Sequence, residues 1–346
     1  MKYLVIAPRN LEDIAARELK ERNIKIISRQ YRKILIEHNG KPTELKELRA
    51  PDDVLVSLKE FKDIGHYTGK ISLMYDQISS IDMAKAIAAC RQARELPKEP
   101  TFAVTASITG NRRMTQEYLK KAVAKALSNK GMTFKKEGKP DIDFNIIIEG
   151  DSVHCGIRLF KDPLHKREYK KHSLPASLKP NIAYAMLSLA ETTRKDKVLD
   201  PFCGVGTIPI EAAYIGATAR GIDINPEAIK NAQKNAKRAN KPALFKRGDA
   251  TATGLESESI DKIVTNMPFG KQAKLEQKRT FFNRLLREMS RILKPRGKAV
   301  LLTTSYQQMR ESIKETREFS IAQVRSISLY GLTPTILILK KQSRKA

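Results

Sequence analysis

Cysteine is scarce in this 346-residue chain: Cys90, Cys155 and Cys203 lie far apart, with no Cys-x-x-Cys spacing. That excludes a disulfide framework and leaves no zinc ligand set, so no metal is expected. No apolar run reaches the length of a membrane span, and the opening Met1 to Asn10 turns polar too soon for a secretory leader. The expectation is a cytoplasmic protein with no membrane partner. No coiled-coil heptad or long exposed apolar stretch is present, so a monomer is expected. Acids are short as well: 38 Asp plus Glu face 65 Lys plus Arg, a formal charge of +27 and a pI near 9.9. An even spread of that charge would serve only solubility, whereas clustering points to a polyanionic partner, nucleic acid first. The length exceeds one ordinary core, and two or three domains are expected.

What is present begins with strands at Tyr3 to Ala7, Ile24 to Ser28, Lys33 to Glu37 and Val54 to Leu58, with helices from Leu11 and after Pro42. This β-α-β-β-α-β order is ferredoxin-like. A second pattern holds a helix over Ile81 to Leu96, with Cys90 in its apolar register as a core residue. Strands follow at Thr101 to Ser107, Phe144 to Ile148 and Val153 to Phe160, with a helix from Thr115 to Leu127. Arg112 and Arg113 immediately precede that helix, where guanidinium groups and backbone N–H groups can meet a phosphate; a solvated turn is the plain alternative. Residues 161–180 are strongly basic and broken by Pro163, Pro175 and Pro180, which suggests an interdomain connector. Lys166, Arg167, Lys170 and Lys171, with His165, Tyr169 and His172 interleaved, suit an RNA backbone and an unstacked base; a charged linker that merely stays solvated is the alternative.

From Ile182 the pattern becomes β-α alternation, ending in two strands that read as an antiparallel hairpin closing a mostly parallel sheet. Asn225, Pro226 and Glu227 mark a capped helix start. Gly204 and Gly206 form a G-x-G turn after the strand ending in Asp200, without the third glycine of a dinucleotide fingerprint. Asp200 would attract the amino group of an amino-acid moiety. Asp223 can accept both ribose hydroxyls, Asp249 an adenine amine, and the Ala250 N–H can reach the ring. This ordered set suits S-adenosyl-L-methionine better than NAD. Cys203 in the same turn has no partner base and reads as packing. The next strand runs into Asn266-Met267-Pro268-Phe269-Gly270, which offers an amide, backbone carbonyls without a competing N–H, and an aromatic face. An exocyclic amine on a planar ring needs those groups, so methyl transfer to a nucleobase nitrogen is expected.

Asp200-Pro201-Phe202-Cys203-Gly204-Val205-Gly206-Thr207, Gly221 to Pro226, Gly248-Asp249-Ala250 and Asn266 to Gly270 resemble the Rossmann-fold methyltransferases that modify exocyclic or amide nitrogens. Ala7 to Glu12 and Leu174 to Pro180 are similar to the THUMP-containing tRNA guanine-N2-methyltransferases. The resemblance implies an α/β and α+β fold: a ferredoxin-like domain over residues 1–65, a THUMP domain over 66–160, the basic linker 161–180, and a Rossmann-fold methyltransferase domain over 181–346. It adds Phe202, Thr207 and Ile224 to the cofactor set, makes Asn266, Met267, Pro268 and Phe269 catalytic, and implies binding to the tRNA acceptor stem and 3′ end. Asn-Met-Pro-Phe resembles the subfamily acting on guanine-6, whereas the guanine-10 group usually has Asp-Pro-Pro-Tyr. Three other readings stay open: the guanine-10 (di)methyltransferase, a protein-glutamine methyltransferase, and an RNA-binding protein with a degenerate catalytic domain.

Overall fold

Apolar runs of strand length and amphipathic stretches of helix length alternate along the chain, and each becomes an element by burying its apolar face. The computed structural model describes residues 1–62, 71–110, 115–136, 138–174, 177–268, 275–329 and 331–342. They form two compact units, Met1–Ala7 with Ala15–Leu164, and Pro8–Ile14 with His165–Ala346.

Residues up to 164 supply β1 (Lys2–Ile6), α1 (Glu12–Glu21), β2 (Lys25–Gln30), β3 (Lys33–Glu37), a 3-10 turn (Pro42–Glu47) and β4 (Asp53–Phe61). They continue with α2 (Ile71–Ser79), α3 (Ala84–Ala93), β5 (Phe102–Thr109), α4 (Gln116–Ser128), β6 (Ile142–Glu149) and β7 (Ser152–Arg158). The order β2-β3-β1-β4 is the ferredoxin-like one, with the 3-10 turn in place of its second helix. β4 also pairs antiparallel with β7, from Leu55↔Arg158 to Phe61↔Val153. The expected first and second modules therefore share one seven-stranded sheet, β2-β3-β1-β4-β7-β6-β5. Cys90 is fully buried in α3, and burial pushes its thiol up to about 11.

The second unit contains α5 (Pro180–Leu189), β8 (Lys197–Asp200), α6 (Thr207–Ile215), β9 (Thr218–Asp223), α7 (Pro226–Ala239), β10 (Ala243–Arg247), β11 (Ile260–Asn266) and α8 (Leu275–Ile292). It ends with β12 (Leu293–Thr303), α9 (Tyr306–Thr316), β13 (Phe319–Ser326) and β14 (Thr335–Lys341). Its sheet runs β10-β9-β8-β11-β12-β14-β13, parallel through β12 and antiparallel at β14 and β13. This is a mixed α/β Rossmann-like fold with a mostly parallel sheet, and the hairpin closes it as expected. The strand order reverses between β8 and β11, which opens a crevice at their carboxyl ends. Beneath it lies a core that includes Leu199, Ile263, Met267, Leu285, Met289 and Leu337.

Candidate active site

Four adjacent parallel strands end on the same edge. Asp200 closes β8, Asp223 closes β9, Asn266 closes β11, and Asp249 stands two residues beyond β10. Neighbouring strands lie about 4.8 Å apart, so the row spans roughly 14 Å, the reach of an extended nucleoside with an amino-acid tail. The sequence-predicted acceptors are thus brought together.

The turn after β8 crosses over β9. Cys203 N donates to Ile222 O at 2.9 Å and Gly204 N donates to Asp223 Oδ2 at 2.8 Å. Such a close crossing leaves no room for side chains: a Cβ on Gly221 would lie 2.7 Å from that of Cys203. Gly206 caps α6 with φ of 83°, and its Cβ would meet the Phe245 ring at 2.8 Å. Thr207, 4% exposed, opens α6. Cys203 is buried, and burial first, then Asp200 and Asp223, hold its thiol well above the usual range. A protonated, enclosed thiol is packing, not a nucleophile.

Asp223 also accepts from Asn225 N at 2.9 Å. A carboxylate has about four acceptor positions, so two backbone donors leave capacity for two hydroxyls. Next to it Ile224 is 69% exposed, an apolar side chain held out at the edge where a flat ring could lie on it. Asp249 Oδ1 accepts from Thr251 N at 2.8 Å and Thr251 Oγ1 at 2.9 Å. Oδ2 of Asp249 has no partner among the described residues and is open to an amine. Ala250 is buried beside it. Phe202 is half-buried, its ring centroid 6.1 Å from that of Phe281.

Asp200 differs from the expectation. It is 2% exposed, and its Oδ1 accepts from Thr265 Oγ1 at 2.6 Å and Phe202 N at 3.1 Å. The carboxylate therefore fixes the turn from beneath instead of facing a ligand amine directly. Burial pushes it up to about 7 against those two donors, and Asp223 adds to the rise. Asn266 Oδ1 is buried and has no hydrogen-bond partner among the described residues. A buried acceptor without a donor is costly, so this oxygen, at the strand-end edge, is able to take one from a bound ligand. Met267 N donates to Leu302 O at 2.9 Å and its side chain is 1% exposed in the core, so only its carbonyl serves the site. Pro268 is exposed at the lip. Phe269 and Gly270 lie outside the described residues, as do Arg112 and Arg113.

The basic connector packs onto the unit that follows it. Tyr169 is 4% exposed and its OH donates to Oε1 of the fully buried Glu211 at 2.8 Å. Arg167 Nε lies 3.8 Å from the same oxygen, and Lys170 Nζ donates to Leu178 O. Burial lowers Lys170 to about 8, with Glu211 opposing the fall. These three residues turn inward around Glu211, which corrects their reading as an exposed RNA contact. Lys166 and Lys171 stay exposed. Asn235, fully buried, donates to His172 O at 2.9 Å and Val205 O at 3.1 Å, and accepts from His172 N at 3.2 Å. It ties the connector to the glycine turn. Asn235 and Glu211 were missed in the sequence, although each is a polar residue in an otherwise apolar helical register; Thr265, a hydroxyl inside an apolar strand, gave a similar signal.

Residues 167–333 match the family model described as UPF0020, RMKL-like, methyltransferase domain. This stretch, just under half of the chain, is similar to that family's methyltransferase domain. A mouse protein named tRNA (guanine(6)-N(2))-methyltransferase THUMP3 is 34% identical over 180 residues, which cover 47% of this chain and 35% of that protein. The chain thus matches about a third of the length of such mammalian relatives. A Thermus thermophilus tRNA (guanine(6)-N2)-methyltransferase is 28% identical over 254 residues, covering 71% of this chain and 74% of its own. The crystal structure of TrmN from Thermus thermophilus superposes with a TM-score of 0.84 at 22% identity, covering 99% of this chain and 100% of that one. That likeness extends the shared fold across both units. Among the described residues no group of three or more His, Cys, Asp and Glu could hold a metal, and no helix is long and apolar enough to cross a membrane.

Proposed function

We propose that the chain is an S-adenosyl-L-methionine-dependent tRNA methyltransferase that forms N2-methylguanosine at guanine-6, in the acceptor stem. The observation that carries this is the buried Asn266 Oδ1 at the end of β11, without a partner among the described residues, one strand from the glycine turn. The names of the mouse and Thermus relatives support the choice of guanine-6.

When bound, S-adenosyl-L-methionine supplies an electrophilic methyl group. Asp223 holds the ribose, Asp249 and the Ala250 N–H hold adenine against Ile224, and Asp200 lends negative charge from below. Phe202, Gly204, Gly206 and Thr207 shape the wall of the methionine portion. The guanine leaves its stack to reach this depth. Asn266 Oδ1 and the Met267 carbonyl accept the two N2 hydrogens and aim the nitrogen lone pair outward, while Pro268 offers no competing donor. Phe269 is assigned the stacking face, and after transfer the surplus proton leaves to water. Residues 1–65 form the ferredoxin-like part and 66–160 the THUMP part; together with the connector 161–180 they grip the acceptor stem and 3′ end, and 181–346 perform the transfer. Lys166, Lys171, Arg112 and Arg113 are the phosphate contacts of that grip. The enzyme works as a cytoplasmic monomer.

The test is methylation of a small-RNA pool with labelled donor, followed by mapping of the product nucleoside. N2-methylguanosine at position 6 of tRNA is expected; a methylated adenine, or label only at position 10, overturns the assignment. Asn266→Ala should cut turnover by about 100-fold or more with RNA affinity retained, and full activity in that variant would exclude the amide from the chemistry.

A further inference from the structure

Helix α7 buries Ala228, Ile229, Ala232, Asn235, Ala236 and Ala239. Its opposite face carries exposed Lys230, Lys234, Lys237 and Arg238, and the end strand β10 adds exposed Lys246 and Arg247 beside it. Lys241, just past the helix cap, is held 4.8 Å over the Tyr214 ring. Residues 226–247 thus contain seven cations and a single acid, Glu227.

Three helical cations elsewhere in the molecule illustrate the paired arrangement that α7 lacks. Lys121 pairs with Glu117 in α4 at 3.1 Å, and in α8 Arg291 pairs with Glu288 at 2.8 Å and Arg279 with Glu315 at 2.7 Å. On α7, Lys230, Lys234, Lys237 and Arg238 make no ion pair among the described residues. Instead they stand three and four apart, where like charges repel and lower helix stability. A destabilising row of cations, spaced about 6 Å per helical turn, suits a polymer of anions better than any single ligand. Protein interfaces are depleted in lysine, and a membrane-lying helix needs a free apolar face, which α7 has already buried. Nucleic-acid phosphates remain the matching partner.

We propose that the outer face of α7, with the adjoining end of β10, is an RNA-docking surface that holds phosphates of the substrate outside the nucleotide being methylated. It rests on the reading that the substrate is RNA. The surface supplies affinity without sequence information, since lysines on phosphates position an RNA but do not read its bases.

The experiment compares the full-length chain with the triple variant Lys230→Gln, Lys234→Gln, Lys237→Gln, using unfractionated tRNA across a salt series. Affinity should fall about tenfold at moderate salt, and the slope of log affinity against log salt should become shallower by about 2 to 3, one phosphate per lysine. S-adenosylhomocysteine affinity should not change. The melting temperature should hold or rise as the repulsion is relieved, whereas a merely structural role would lower it. The Lys→Arg triple should keep the wild-type slope. An unchanged slope in the glutamine triple overturns the proposal, as does a loss of binding to poly-glutamate or anionic vesicles with tRNA binding intact. If the wild-type chain itself fails to bind tRNA, the RNA reading fails too, so the two failures are distinguishable.

Discussion

Two buried aspartates, one in each unit, are treated differently by the chain around them. Asp53, in the N-terminal sheet, accepts from Arg158 Nε at 2.6 Å, and the same guanidinium also engages Asp143. Burial pushes Asp53 up to about 6 even though Arg158 pulls it down. Asp200, in the second unit, rises to about 7 with a hydroxyl and a backbone N–H as its donors. Desolvation raises both, but Asp53 has a resident cation, whereas Asp200 lies beneath the glycine turn with only neutral donors. A closed ion pair belongs to structure; a buried carboxylate without its own cation, just beneath a strand-end crevice, can act on binding through its field.

The largest way to break this contrast is Arg158→Ala. It strands Asp53 and Asp143 without their cation and should cost about 3 kcal/mol of stability, read as a drop in the denaturant midpoint. Both aspartates ionise at higher pH in the folded chain than in the unfolded one, so their contributions to stability are full at low pH. They are lost as pH rises through about 6 for Asp53 and about 7 for Asp200. The Arg158→Ala deficit should therefore widen with pH; a deficit that narrows would mean Asp53 is not the stranded group.

Asp200→Asn should act on binding instead. Wild-type affinity for the cationic methyl donor should increase as pH rises through 7, measured by calorimetric titration between pH 6 and 8. The variant should bind about tenfold more weakly at pH 8, with a flat pH profile and stability no lower than wild type there. A pH dependence that survives in the variant would move its origin elsewhere. The smallest effect is expected for Cys203→Ala. That thiol sits near Asp200 and Asp223 and stays protonated, so the variant should keep full turnover and lose about 1 kcal/mol or less. Strong inactivation would make it more than packing.

Local signals were well represented in the sequence where one residue does one job. Asn225, Pro226 and Glu227 start α7 as read, with Asn225 Oδ1 accepting from Glu227 N at 2.9 Å. The row of strand-end acceptors and the closing hairpin were equally legible. Helix α9 was not, because it buries only Met309, Ser312 and Ile313, too few apolar positions to set a period. The pairing of β4 with β7 joins residues about a hundred apart, and no local pattern encodes such a partner. The connector misled for a different reason. Arg167, Tyr169 and Lys170 have the composition of an exposed basic strap, yet the buried acid that draws them inward, Glu211, lies about forty residues later.

The position of β14 has a consequence for the birth of the protein. This strand, the last to be synthesised among those described, lies between β12 and β13, with Thr335 to Leu339 buried. Until residues 335–341 leave the ribosome, both neighbours expose unsatisfied edges and the methyltransferase sheet cannot close. The N-terminal sheet, complete by Arg158, meets no such delay. The two units are therefore finished at different times, and a nascent chain passes through a stage with its N-terminal sheet folded and its second sheet still open to chaperones.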